Sequence, residues 1–106
     1  MANTYTNAKV DLTTANVTTL YTCAALTTGI VKSILVSEDS GNADTITVTL
    51  TSSAAVFSLF KVTSVGANTT LELLTAPLVV QAGEILKVNA ATANRLHVVA
   101  SILEIT

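Results

Sequence analysis

The chain reads as an all-β protein, an antiparallel β-sandwich of jelly-roll type with about eight strands, on three observations. Residues 44–52 alternate strictly, with Ile46, Val48 and Leu50 at one parity and Thr45, Thr47, Thr49 and Thr51 at the other. Side chains on a strand point to opposite faces with period two, so this segment is a half-buried antiparallel strand. Short runs of β-branched and apolar residues recur along the rest of the chain, with turn residues between them every eight to twelve positions or so. No solenoid period, charge block or linker divides the 106 residues, which suffice for one domain with a real core.

Residues 1–12 are expected to form an extended N-terminal arm, because the stretch is small and polar with a single tyrosine, Tyr5. Residues 13–106 are then the β-sandwich domain. Val10 to Leu12 is a short strand candidate that ends at Thr13-Thr14-Ala15-Asn16. Val17, Leu20, Tyr21, Ala24 and Ala25 have helical spacing, but the threonines and valine around them favour a strand over 17–22. Gly29 opens a run from Ile30 to Val36 in which both alternate sets are mostly apolar, as expected of a central strand covered on two sides.

Ser37 to Ala43 has turn composition, with Gly41 and Asn42 suited to positive φ, and is expected to join this run to the alternating strand as a hairpin. Ala55 to Val62 reads as a strand with Phe57 and Leu59 on one face and Val56, Phe60 and Val62 on the other. Val65-Gly66-Ala67-Asn68 is a turn. Leu71 to Leu74 and Leu78 to Val80 flank Pro77, which must sit at an edge or a corner. Gln81 to Glu84 turns into a strand over Ile85 to Val88. An alanine-rich loop then leads to the closing strand, Leu96 to Ile105.

Charged residues make up only 11% of the chain against about 25% in an average globular protein. Threonine, alanine, serine and asparagine take their place. A surface with so little charge is cheap to desolvate against a partner, which points to self-association or docking onto a larger assembly. Lys9, Lys32, Lys61, Lys87 and Arg95 are scattered singly and the net charge is −2, so no nucleic-acid partner is expected. Few aromatics and no tryptophan argue against base-stacking or sugar-binding faces.

No apolar run approaches the ~18 residues of a membrane span, and the first residues lack the apolar core of a secretory signal. Synthesis and release in a reducing cytoplasm is the expectation, with Asn16 and Asn68 as chance matches to the glycosylation pattern.

Chemistry is sparsely announced. Cys23 is the only cysteine, so no intrachain disulfide can form. His97 is the only histidine, and a dyad with Cys23 requires only that the two meet in space. Nothing around Cys23 lowers a thiol pKa, so a buried core cysteine and a strand histidine are expected. Glu38, Asp39 and Asp44 bracket a turn that could offer oxygens to a cation. The ligand ladder of a calcium loop is missing, and a plain turn is expected. Glu72, Glu84 and Glu104 lie on separate strands; a glycosidase pair would need a cleft for which this small chain has little room. No catalytic residue, cofactor or metal ligand is assigned, and the chain is not expected to be an enzyme.

The order of segments resembles small virion structural proteins of tailed bacteriophages. The residues that carry it are Leu20-Tyr21-Thr22, Gly29 to Val36, Thr45 to Val48, Leu71 to Leu74, Pro77 to Val88 and Val99 to Ile105. Similar sequences often have a proline-glycine turn where this one has Cys23-Ala24-Ala25-Leu26, and asparagine where Ser37-Glu38 stands. The resemblance implies a many-copy virion component, a capsid decoration protein made as a homo-oligomer with a trimer the first expectation. Its partners would be the major capsid protein or other virion proteins. A tail, neck or fibre-attachment protein is the alternative, and a small ligand-binding β-domain or hydrolase the remote one.

Overall fold

In a computed structural model that describes residues 2–106, nine strands run in chain order. They are β1 (Asn3–Asp11), β2 (Thr18–Thr22), β3 (Thr28–Glu38), β4 (Asp44–Ser52), β5 (Ala55–Val65), β6 (Thr70–Glu72), β7 (Leu78–Val80), β8 (Ile85–Ala90) and β9 (Leu96–Ile105). The all-β class is as expected; the strand number is nine and not about eight, because Asn3–Asp11 within the expected arm is a full strand, while Pro77 and its neighbours separate the short strands β6 and β7. Both short pieces pair with β3.

The first sheet has the order β1-β9-β3-β6, with β7 also on β3, and the second has the order β2-β8-β4-β5. All pairings are antiparallel. Inward side chains of both sheets form one cluster that includes Val31, Ile34 and Val36 of β3, Ile46 and Val48 of β4, Leu86 and Val88 of β8, and Leu96, Val98, Ala100 and Ile102 of β9. Leu12 and Val80 close its ends. β4 behaves as its alternation requires, with Ile46 and Val48 buried and its threonines on the opposite face.

Three local expectations are corrected. β3 and β4 do not form a hairpin: they lie in different sheets, and residues 39–43 carry the chain across the core. β3 is central within its sheet, but the chain covers only one of its faces, so Leu35 stays exposed. On β5 the simple alternation fails because the β4–β5 register shifts twice, between Ile46 and Val48 and between Val48 and Thr49. Each shift inserts an extra β5 residue. Phe57 and Phe60, three residues apart, therefore stand opposite Leu50 and Val48 on one face.

Of the expected arm at residues 1–12, Met1 lies outside the described residues. Asn3–Asp11 is a strand of the first sheet, paired with β9 along its whole length without a bulge. Ala2 and Thr106 exchange backbone hydrogen bonds of 3.2 and 2.9 Å, so the two ends of the described chain meet. β1 is an edge strand, and the side chains from Asn3 to Asn7 are all exposed.

Candidate functional site

The outer face of the first sheet is the most distinctive surface of the molecule. Residues directly opposite one another on neighbouring strands share a face, so the register of β1, β9, β3 and β6/β7 resolves this surface into rows. Tyr5, Leu103, Ile30 and Val79 form one row, with Tyr5 75% and Val79 52% exposed. Asn7, Ser101 and Ser33 form the next. Lys9, Val99, Leu35 and Glu72 follow, and then Asp11, His97, Ser37 and Thr70. A bulge at Lys32 keeps the apolar members of β3 in phase with those of β9 on both sides of it. Two surface depressions lie along the β1 side of this face. One, of about 240 Å³, is bounded by Lys9, Asp11, His97 and Val99, and the other, of about 360 Å³, by Tyr5, Asn7, Lys32 and Ser101.

The second sheet turns a different surface outward. Its exposed face carries Thr45, Thr47, Thr49 and Thr51 with Lys87 and Asn89 of β8 beside them. On the edge strand β5, Val56 stands opposite Thr51 on this surface, and Val62 and Phe57 are exposed as well, Phe57 beside Leu50 on the core-facing side.

Five of the six acids singled out in the sequence are occupied by groups of their own chain, Asp39 being the exception. Glu38 is 1% exposed and accepts hydrogen bonds from the amides of Ser40 at 2.8 Å, Gly41 at 3.1 Å and Asn68 at 3.1 Å, as well as from the Ser40 hydroxyl. The Ser40 hydroxyl, with these amides, outweighs desolvation and holds its pKa down at about 2. Asp44 caps the amides of Thr45 at 2.8 Å and Thr92 at 3.0 Å. These two carboxylates tie together three loops at one end of the molecule, 39–43, 66–69 and 91–95.

Glu72 sits where β6 breaks off and β7 has not begun. Burial opposes its charge, but the Ser33 hydroxyl and the amides of Ile34 and Leu74 outweigh burial and place its pKa below the ordinary carboxylate range. Glu84 accepts from the amide of Gln81 at 2.7 Å within a tight turn. Glu104 accepts from the Tyr21 hydroxyl at 2.7 Å. Burial first, and then this hydrogen bond, push the tyrosine pKa above its usual range. Each of these five carboxylates thus holds backbone or a hydroxyl of its own fold.

Cys23 and His97 are not brought together. Cys23 is buried, with Sγ donating to the carbonyl of Thr27 at 3.3 Å. Its neighbour Tyr21 reaches Glu104 near the far end of β9, seven residues and so roughly 24 Å along the strand from His97. His97 instead stands between Asp11 at 3.3 Å and Asp39 at 3.7 Å. Among the described residues, no group of three His, Cys, Asp or Glu side chains is placed to hold a metal ion.

A third depression, of about 360 Å³, opens between the edge strand β5 and the β6–β7 connection. Its lining is apolar apart from Thr75, with Leu59, Phe60, Leu74 and Pro77 among its walls and no ionisable side chain.

Sequence reasoning picked out the acids and missed the rows. Part of the signal was present, since both alternate sets of residues 30–36 are mostly apolar, but Ile30 and Leu35 fall in different sets and reach one open face only through the bulge at Lys32. Comparison with protein-family models, with curated proteins and with solved structures finds no match to this chain.

Proposed function

We propose that the chain is a structural protein of the tailed-bacteriophage virion that works in many copies as a capsid decoration protein, contacting sister subunits and the head shell. The observation that carries this reading is the outer face of the first sheet, with one apolar row and a second whose apolar centre is flanked by Lys9 and Glu72, left uncovered by the chain itself. An exposed apolar surface of this kind is characteristic of a contact surface. The strand orders β1-β9-β3-β6 and β2-β8-β4-β5, with the chain crossing repeatedly from one sheet to the other, support a jelly-roll-like sandwich as the scaffold.

The mechanism is additive. Each copy contributes a modest apolar contact and a strand edge at β1 that can accept a further strand. Many such contacts held at once across a shell give a large total affinity through effective concentration. The carboxylate-tied loops at one end keep the brick rigid, so little ordering is spent on binding.

Counting the protein by mass spectrometry in purified particles tests the proposal. A copy number that scales with the major capsid protein is expected. A few copies per particle would replace the head position with a tail or neck position, and absence from particles would overturn the virion reading. Deleting residues 2–7, which leaves Ala8 and Val10 packed on the core, should weaken particle attachment. Unchanged attachment would remove β1 from the contact.

A further inference from the structure

We infer that the outer face of the first sheet is a self-complementary surface that pairs with the same face of a second copy about a two-fold axis running roughly along the strands, between β9 and β3. This pairing follows from the strand register and is independent of the virion reading. Such an axis exchanges β1 with β6/β7 and β9 with β3 while keeping each row at its own height. In the lower row it lays Tyr5 over Val79 of the second copy and Leu103 over Ile30, a large side chain against a small one at each edge. In the charged row it lays Lys9 over Glu72 and Val99 over Leu35, so each copy supplies both halves of two opposite-charge contacts around an apolar centre.

Between them, Ser101 and Ser33 are small and polar and leave the trough in which the depression beside Tyr5 lies, with exposed Lys32 of the bulge at its rim. One operation matches size and charge in both rows, as an isologous contact requires. The alternatives fit less well. Acids and bases alternate over this face, so it presents no single-sign field for a polyanion. The face of the second sheet offers a threonine surface with Lys87 and no opposite charge to meet it.

The size of the face sets the strength expected. Four strands about 4.8 Å apart and six residues of about 3.4 Å rise give a flat patch of roughly 400 Å² per copy, about half the partner area of a standard interface. The pair is therefore weak and concentration-dependent in free solution, and is reinforced where copies are held side by side. Combined with a separate three-fold contact, it would make a hexamer of two trimers.

Sedimentation equilibrium of the purified chain over a range of concentrations tests this. The wild-type protein should show a reversible monomer–dimer step. Leu35→Lys places a charge at the centre of the contact and should weaken it at least about tenfold. Lys9→Glu sets acid against Glu72 of the second copy and should weaken it as well, with the effect relieved by added salt. Val56→Lys, on the other sheet, should leave it unchanged, and thermal melting of each variant verifies that the fold persists. A wild-type chain that stays monomeric to ~1 mM overturns the inference. So does a dimer that ignores Leu35→Lys and Lys9→Glu, or one that is lost with Val56→Lys. Particle attachment without the dimer would sink this inference and leave the virion reading standing.

Discussion

Glu38 shows what a single buried carboxylate does for this molecule. It gathers the amides of Ser40, Gly41 and Asn68 and so binds the 39–43 loop to the 66–69 loop. Its pKa drops from 4.5 in the unfolded chain to about 2 in the fold. A group whose folded value is depressed stabilises above the unfolded value, and that contribution is lost as pH falls through the folded one. The fold should therefore lose stability between about pH 4.5 and 2, and Glu38→Gln should be less stable at pH 7 while showing a flatter response across that window. Melting temperatures from pH 2 to 7 check it; parallel curves for the two proteins would remove Glu38 from the acid response.

Gly29 makes a second residue-level case. A Cβ there would lie 2.8 Å from the Tyr21 hydroxyl and 3.0 Å from the ring, and Tyr21 is itself buried and held by Glu104. Gly29→Ala should cost about 1–3 kcal/mol by overpacking. Tyr21→Phe, which shortens the side chain, should recover part of that loss when combined with it. Additive denaturation midpoints in the double variant would dismiss the clash.

At the scale of elements, the strands were legible where local pattern and pairing coincide. β4 is readable because its threonines and aliphatics alternate without interruption and its partner β8 keeps that period. β5 is not, because its two bulges are set by the partner strand and leave no mark in composition; Val62, one of the inserted residues, sits at φ 50° with its amide on the Thr47 hydroxyl. Residues 39–43 look like a hairpin turn because turn chemistry records that the chain reverses, not which strand it then meets. Leu26 occupies φ 60° while 93% exposed, a backbone conformation that glycine or asparagine would have announced and leucine does not.

Glu72 was equally silent, since its role exists only because β6 and β7 leave a gap beside β3. There the amide of Ile34 has no strand partner and turns to the Glu72 carboxylate at 2.9 Å. Glu72→Ala leaves this N–H and that of Leu74 unpaired, and should cost about 1–3 kcal/mol. Hydrogen exchange gives the sharper readout: protection should fall at Ile34 and Leu74 and hold at Val98 and Ala100 on the far side of β3. Uniform loss along the whole sheet would assign Glu72 no local role.

For the molecule as a whole, the decisive contact is the most distant in sequence. β1 pairs with β9 from Asn3–Ile105 to Asp11–His97, and Ala2 and Thr106 bond to each other across the ends. The candidate surface depends on this pairing as well, because two of its four columns are β1 and β9. It was illegible in the chain for that reason: no local window holds residues that become neighbours only when the first strand meets the last. Closing so long a loop is entropically costly and slows folding in sheet proteins. Joining Thr106 to Ala2 through a short linker and opening the chain between Thr14 and Ala15 turns β9–β1 into a hairpin without altering a contact in the core. The permuted chain should refold several-fold faster at similar stability. Stopped-flow refolding measures it, and an unchanged rate would mean that β1 joins the sheet only after the barrier has been crossed.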